Sequence, residues 1–159
     1  IEGQVLQIFA DAYTPVVDSS AIPTGEIASV EGTPMDFRTE KQIEQDIRAD
    51  FEQLHFTGGY DHNYVLGRPG EKKIMANAYC RESGIALEAA TDCCGVQFYA
   101  GNFIGEQTGK GGAAYHDRSA FCLESQFYPN AVNEPDFPSP VVKAGDTYHT
   151  ETSYRFYLR

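Results

Sequence analysis

Hydrophobic and polar residues alternate in short runs along this 159-residue chain, and long amphipathic stretches are nearly absent. The clearest alternation comes last. Tyr148, Thr150, Thr152, Tyr154, Phe156 and Leu158 fall on one face, and His149, Glu151, Ser153, Arg155 and Tyr157 on the other. Residues 4–9 alternate in the same way, and residues 73–81 and 85–90 read as extended apolar runs. Ser83-Gly84 lies between those two and predicts a hairpin. One helix is expected over residues 40–48, where Thr39 can cap the start, Gln42 reach back, and Ile43 and Ile47 form an i,i+4 stripe. Residues 129–140, bounded by prolines, read as loop. No internal repeat, low-complexity tract or dividing linker is visible. The pattern predicts an all-β domain, a sandwich in preference to any α/β arrangement.

Three of the strand-like segments carry chemistry. In Phe121-Cys122-Leu123-Glu124-Ser125-Gln126-Phe127, alternation puts Phe121, Leu123 and Phe127 on one face and Cys122, Glu124 and Gln126 on the other. A carboxylate in an otherwise apolar strand has two readings. Glu124 is either on a solvated outer face with a salt bridge, or a catalytic group beside a polar ligand. Gly95-Val96-Gln97-Phe98-Tyr99-Ala100-Gly101-Asn102 has a single amide, Gln97, among apolar neighbours. In Gly58-Gly59-Tyr60-Asp61-His62-Asn63-Tyr64, polar residues crowd between aromatics after a glycine turn. Together the three supply two carboxylates, an amide and several rings. That set suits a sugar, whose hydroxyls need polar partners and whose C–H faces need flat apolar cover.

Taken in order, these segments resemble the C-terminal half of the aldose 1-epimerase (galactose mutarotase) family. The likeness runs from Val5-Leu6-Gln7-Ile8 through Ile22-Pro23-Thr24-Gly25-Glu26 and Gly32-Thr33-Pro34-Met35-Asp36-Phe37-Arg38. It continues through Gly59-Tyr60-Asp61-His62-Asn63-Tyr64, Gln97-Phe98-Tyr99-Ala100-Gly101-Asn102 and Phe121-Cys122-Leu123-Glu124 to Ala144-Gly145-Asp146-Thr147-Tyr148. The resemblance implies a large, distorted β-sandwich, of which this chain would be an incomplete part. Such a part should expose core-facing surface and unpaired strand edges. The implied activity is hexose mutarotation by acid/base ring opening, with no cofactor and no metal. Glu124 would be the general base, and Asp61 and Gln97 would bind the sugar. The family's acid histidine, another sugar-contacting histidine and an Asn-Arg pair lie in an upstream half. A missing N-terminal half of the same enzyme is therefore the expected protein partner.

Each role has a plainer rival. Asp61 can cap the turn after Gly58-Gly59, and Gln97 can be a satisfied buried amide tying two strands. His62 adjoins Asp61, but successive strand residues point to opposite faces, which argues against a shared ligand. His55, His116 and His149 fit no motif. Tyr60, Tyr64, Phe98 and Tyr99 read as core. Residues 105–112, glycine-rich around Lys110, lack phosphate-loop spacing and read as a flexible loop bordering the pocket. A non-catalytic sugar-binding module is the alternative at the level of function. A hexose 6-phosphate epimerase would want an arginine cluster that the sequence lacks.

Composition adds exclusions. A formal charge of −11, from 12 basic and 23 acidic residues, argues against nucleic acid or an anionic membrane as partner. No apolar run approaches a membrane span. Cys80, Cys93, Cys94 and Cys122 lack zinc-site spacing, and adjacent Cys93-Cys94 is a poor disulfide pair. Free thiols fit a reducing, cytoplasmic setting.

Overall fold

Twelve strands and very little helix make up the computed structural model, which describes residues 1–159. In chain order the strands are β1 (Val5–Ile8), β2 (Ala12–Tyr13), β3 (Ala28–Ser29), β4 (Lys41–Gln42), β5 (Asp61–Val65) and β6 (Lys73–Tyr79). They continue as β7 (Ile85–Thr91), β8 (Gly95–Tyr99), β9 (Gln107–Thr108), β10 (Ala114–Tyr115), β11 (Cys122–Gln126) and β12 (Thr152–Leu158). Two five-stranded antiparallel sheets result, one in the order β12-β7-β6-β1-β4 and the other β11-β8-β5-β2-β3. The predicted hairpin joins β6 to β7, with Gly84 at φ +69° in the turn. No helix is long and apolar enough to cross a membrane.

Alternation decides what lies between the sheets. Leu6 and Ile8 of β1 stand opposite Ala78 and Ala76 of β6, and all four are buried. On the second sheet, His62 and Tyr64 of β5, Phe98 and Val96 of β8 and Leu123 of β11 share the inward face. Between the sheets lies one cluster of 20 buried apolar residues. Phe37, Tyr60 and Phe98 form its aromatic centre, with ring centroids 5.0–5.5 Å apart. The buried phenols of Tyr60 and Tyr64 donate to the carbonyls of Pro34 and Met35, both at 3.0 Å. Those bonds offset the cost of burying hydroxyls.

The helix expected over residues 40–48 is not formed. Lys41 and Gln42 pair as a short strand with Leu6 and Val5, and Ile43–Gln45 make a single 3₁₀ turn. Ile43 and Ile47 are both buried, as their spacing suggested. A 3₁₀ turn followed by a further turn over residues 46–48 brings residues four apart to one side as well as a helix does, so the stripe did not distinguish them. The α-helix lies later, as α1 (Glu52–Thr57), and Gly58 ends it at φ +65°. The last strand begins at Thr152, and residues 141–150 are exposed and form no strand.

β12 is an edge strand. Its partners across the ladder put Tyr154 beside Ala89, Phe156 beside Leu87 and Leu158 beside Ile85, on the inward face of the first sheet. The second sheet does not extend over that end, so Phe156 and Leu158 remain 70% and 81% exposed.

Candidate active site

The outward face of the second sheet carries the polar residues. Register fixes them in two rows. Cys122, Tyr99 and Asp61 lie side by side across β11, β8 and β5, and Glu124, Gln97 and Asn63 form the next row. Neighbouring strands are about 4.8 Å apart and residues advance about 3.4 Å along a strand, so Glu124 and Asp61, two strands and one row (two residues) apart across β8, have backbones about 12 Å from each other. Asp61, Gln97 and Glu124 line one open cleft of about 380 Å³, together with Tyr99, Phe103, Gln126 and Pro129.

A chain of amides fixes the floor of this cleft. Gln97 Nε2 donates to Asp61 Oδ1 at 2.8 Å, and Gln97 Oε1 accepts from Gln126 Nε2 at 2.9 Å. The same Gln126 nitrogen donates to Asn63 Oδ1 at 3.1 Å. Because its oxygen is occupied, the Gln97 amide has one orientation, with its NH₂ toward Asp61 and the cleft. Gly95 leaves the space this needs. A Cβ there would lie 2.3 Å from Asn63 Oδ1 and 3.0 Å from Tyr128 Cδ1.

Electrostatics separate the groups. Burial pushes the Asp61 carboxyl above its ordinary range, and the hydrogen bond from Gln97 partly offsets this. Glu124 is exposed to the cleft. Burial, and then the nearby Glu124 charge, push the Cys122 thiol up, so it remains a thiol.

His62 is turned the other way. It is fully buried on the inward face, edge-on to Tyr13 with centroids 5.9 Å apart. Its Nδ1 accepts from the Asp61 backbone N–H at 3.2 Å, and burial lowers its pKa to about 4. The cleft lining contains no histidine. His55, His116 and His149 are exposed. No three His, Cys, Asp or Glu side chains are grouped to hold a metal ion.

Two expectations change here. Tyr99 is not core. It lies on the cleft face, and its hydroxyl accepts from the Phe103 backbone N–H at 3.0 Å. The glycine-rich residues 105–112 do not border the cleft but build the exposed β9–β10 hairpin, with a 3₁₀ turn at its tip. Gln126 was visible as a face-mate of Glu124, yet its role needed the strand register. Phe103, just past the Gln97–Asn102 segment, carried no signal of its own.

Residues 1–155 match the model of the aldose 1-epimerase family. The chain belongs to that family. A galactose mutarotase from Sus scrofa is 45% identical over 150 residues, covering 94% of this chain and 42% of the relative. An aldose 1-epimerase from Escherichia coli (strain K12) is 36% identical over 98% of this chain and 45% of its own length. Among solved structures, the aldose epimerase homologue from C. elegans superposes with a TM-score of 0.85 at 30% identity, over 99% of this chain and 46% of that one. The chain thus spans less than half the length of these epimerase relatives.

Proposed function

We propose that this chain is the base-carrying, sugar-binding part of an aldose 1-epimerase that interconverts the α and β anomers of hexoses such as galactose and glucose. One observation carries the reading: Glu124, Gln97 and Asp61 line a single cleft in a chain that matches the epimerase family over residues 1–155. The hexose lies across β8. Asp61 and the oriented Gln97 amide hold its hydroxyls, and Glu124 takes the proton of the C1 hydroxyl. An acid on the other side protonates the ring oxygen as the C1–O bond breaks and the open aldehyde forms. Rotation about C1–C2 and reclosure, with both protons returned, gives the other anomer. The steps call for no metal, nucleotide or covalent intermediate.

The acid is assigned to sequence that the relatives carry outside the matched span, since no histidine lines the cleft. The uncovered apolar face of β12 supports the same partner, a complementary part of the sandwich packed over Phe156 and Leu158. The four free thiols suit a reducing cytoplasm.

Polarimetry of anomer interconversion by the full-length protein tests the roles. Glu124→Gln keeps the shape but cannot take a proton, so kcat should fall about 10²- to 10⁴-fold with sugar binding retained. Asp61→Asn should raise KM as well as lower kcat. A Glu124→Gln enzyme with near wild-type kcat, beside an Asp61→Asn enzyme without it, would put the base on the other carboxylate.

A further inference from the structure

Glu124 sits on a poorly supported strand. β11 is the last strand of its sheet and pairs with β8 alone, so its outer edge has no ladder to hold it. A carboxylate that must meet a hydroxyl to within a fraction of an ångström needs firmer support than that.

The support comes from the opposite sheet. Tyr154 Oη of β12 donates to the carbonyl of Leu123, the residue before Glu124, at 2.6 Å. Thr152 Oγ1 of β12 lies 2.6 Å from Ser125 Oγ, the residue after it. Thr152 Oγ1 is itself 3.0 Å from Thr91 Oγ1 on β7, which accepts from the backbone N–H of Cys93 at 3.1 Å. β12 is anchored in turn, being paired with β7 at all seven of its positions.

The periodicity of the two strands matches. Thr152 and Tyr154 are two apart and share one face of β12, while Leu123 and Ser125 are two apart and share the inward face of β11. Glu124 lies between the two gripped residues and points the opposite way, into the cleft. We infer that Tyr154 and Thr152 form a cross-sheet clamp that positions Glu124 for proton abstraction. Neither touches the sugar cleft, so they are positioning residues that act through the β11 backbone and Ser125. Burial, then the Glu124 charge, keep the Tyr154 phenol protonated and so a donor.

This rests on Glu124 being the base, and the variants separate the two claims. Tyr154→Phe removes one hydroxyl and keeps the ring. Thr152→Val removes the other and keeps the shape, while Thr152→Ser restores it. In the full-length protein, Tyr154→Phe and Thr152→Val should each lower kcat roughly 3- to 30-fold with KM within about twofold, and Thr152→Ser should recover most of the rate. Thermal unfolding of each variant is measured beside its kinetics. Wild-type kcat in both Tyr154→Phe and Thr152→Val, with Glu124→Gln inactive, overturns the clamp and leaves the base standing. Losses that follow melting temperature, with Thr152→Ser as impaired as Thr152→Val, make the bonds structural ties and also overturn it. An active Glu124→Gln overturns the base, and the clamp with it.

Discussion

Between Asp61 and His62 the backbone advances one residue, and the two side chains leave in opposite directions with opposite linkage to pH. Asp61 is raised by burial, so its ionised form opposes folding. Its favourable contribution is full below the ordinary value of 3.8 and is lost as pH rises through the folded value. His62 is lowered to about 4 from 6.5. Above 6.5 it is neutral in both folded and unfolded chains. Below that, only the unfolded chain takes up the proton, so stability declines as pH falls toward about 4. A shift of this size in a fully buried ring is on the order of 3 kcal/mol when complete. Urea unfolding of the wild type and of His62→Gln, at pH 7 and pH 5, should therefore differ in slope. The wild type should lose roughly 2 kcal/mol more than the variant across that interval, whatever packing the substitution itself removes. Parallel pH dependences would mean that His62 is not held neutral by the fold.

Individual strands were largely legible, because alternation and short apolar runs are local properties: β1 and β11 display the first and β6, β7 and β8 the second, within their own lengths. What failed was decided by partners distant in the chain. Lys41 and Gln42 are extended because Val5 and Leu6 offer them a ladder, and nothing between residues 39 and 48 records this. The six-residue α1 is too short for a periodic stripe to show. The residues of the candidate cleft were legible as separate strands carrying Glu124, Gln97 and Asp61, whereas the amide chain that orients Gln97 belongs to the register among β5, β8 and β11. Gly95 gives access to that register. Gly95→Ala would drive a methyl into Asn63 Oδ1 and the Tyr128 ring, so Asn63 must move and release Gln126. The expected cost is about 1–3 kcal/mol of stability. With Gln97 no longer held, KM should also rise several-fold. An unchanged KM in a destabilised Gly95→Ala protein would show that Gln97 keeps its orientation without the chain.

At the scale of the whole molecule, the two sheets are offset. The second covers β1 and β6 of the first and reaches the start of β12 through Leu123 and Ser125, but leaves the inward side of β12's C-terminal end bare. Ile85, Leu87, Phe121 and Phe156 border an apolar groove of about 240 Å³ there, and Leu158 extends the strip. Two large side chains 70% and 81% exposed on a core-facing strand fit burial beneath further structure. The proposal that the rest of the epimerase covers them makes a two-sided prediction for Phe156→Ser combined with Leu158→Ser. In the full-length protein the change removes buried area from a core, at about 1.5–3 kcal/mol for each side chain, so melting temperature and activity should both fall. In the 159-residue chain produced alone, the same change removes exposed apolar surface and should reduce self-association in sedimentation or size-exclusion measurements. Opposite effects in the two contexts identify the strip as a seam within one sandwich. A full-length protein that melts at the wild-type temperature would mean that the strip faces solvent there too, and the proposed acid-bearing part would have to meet Glu124 by another route.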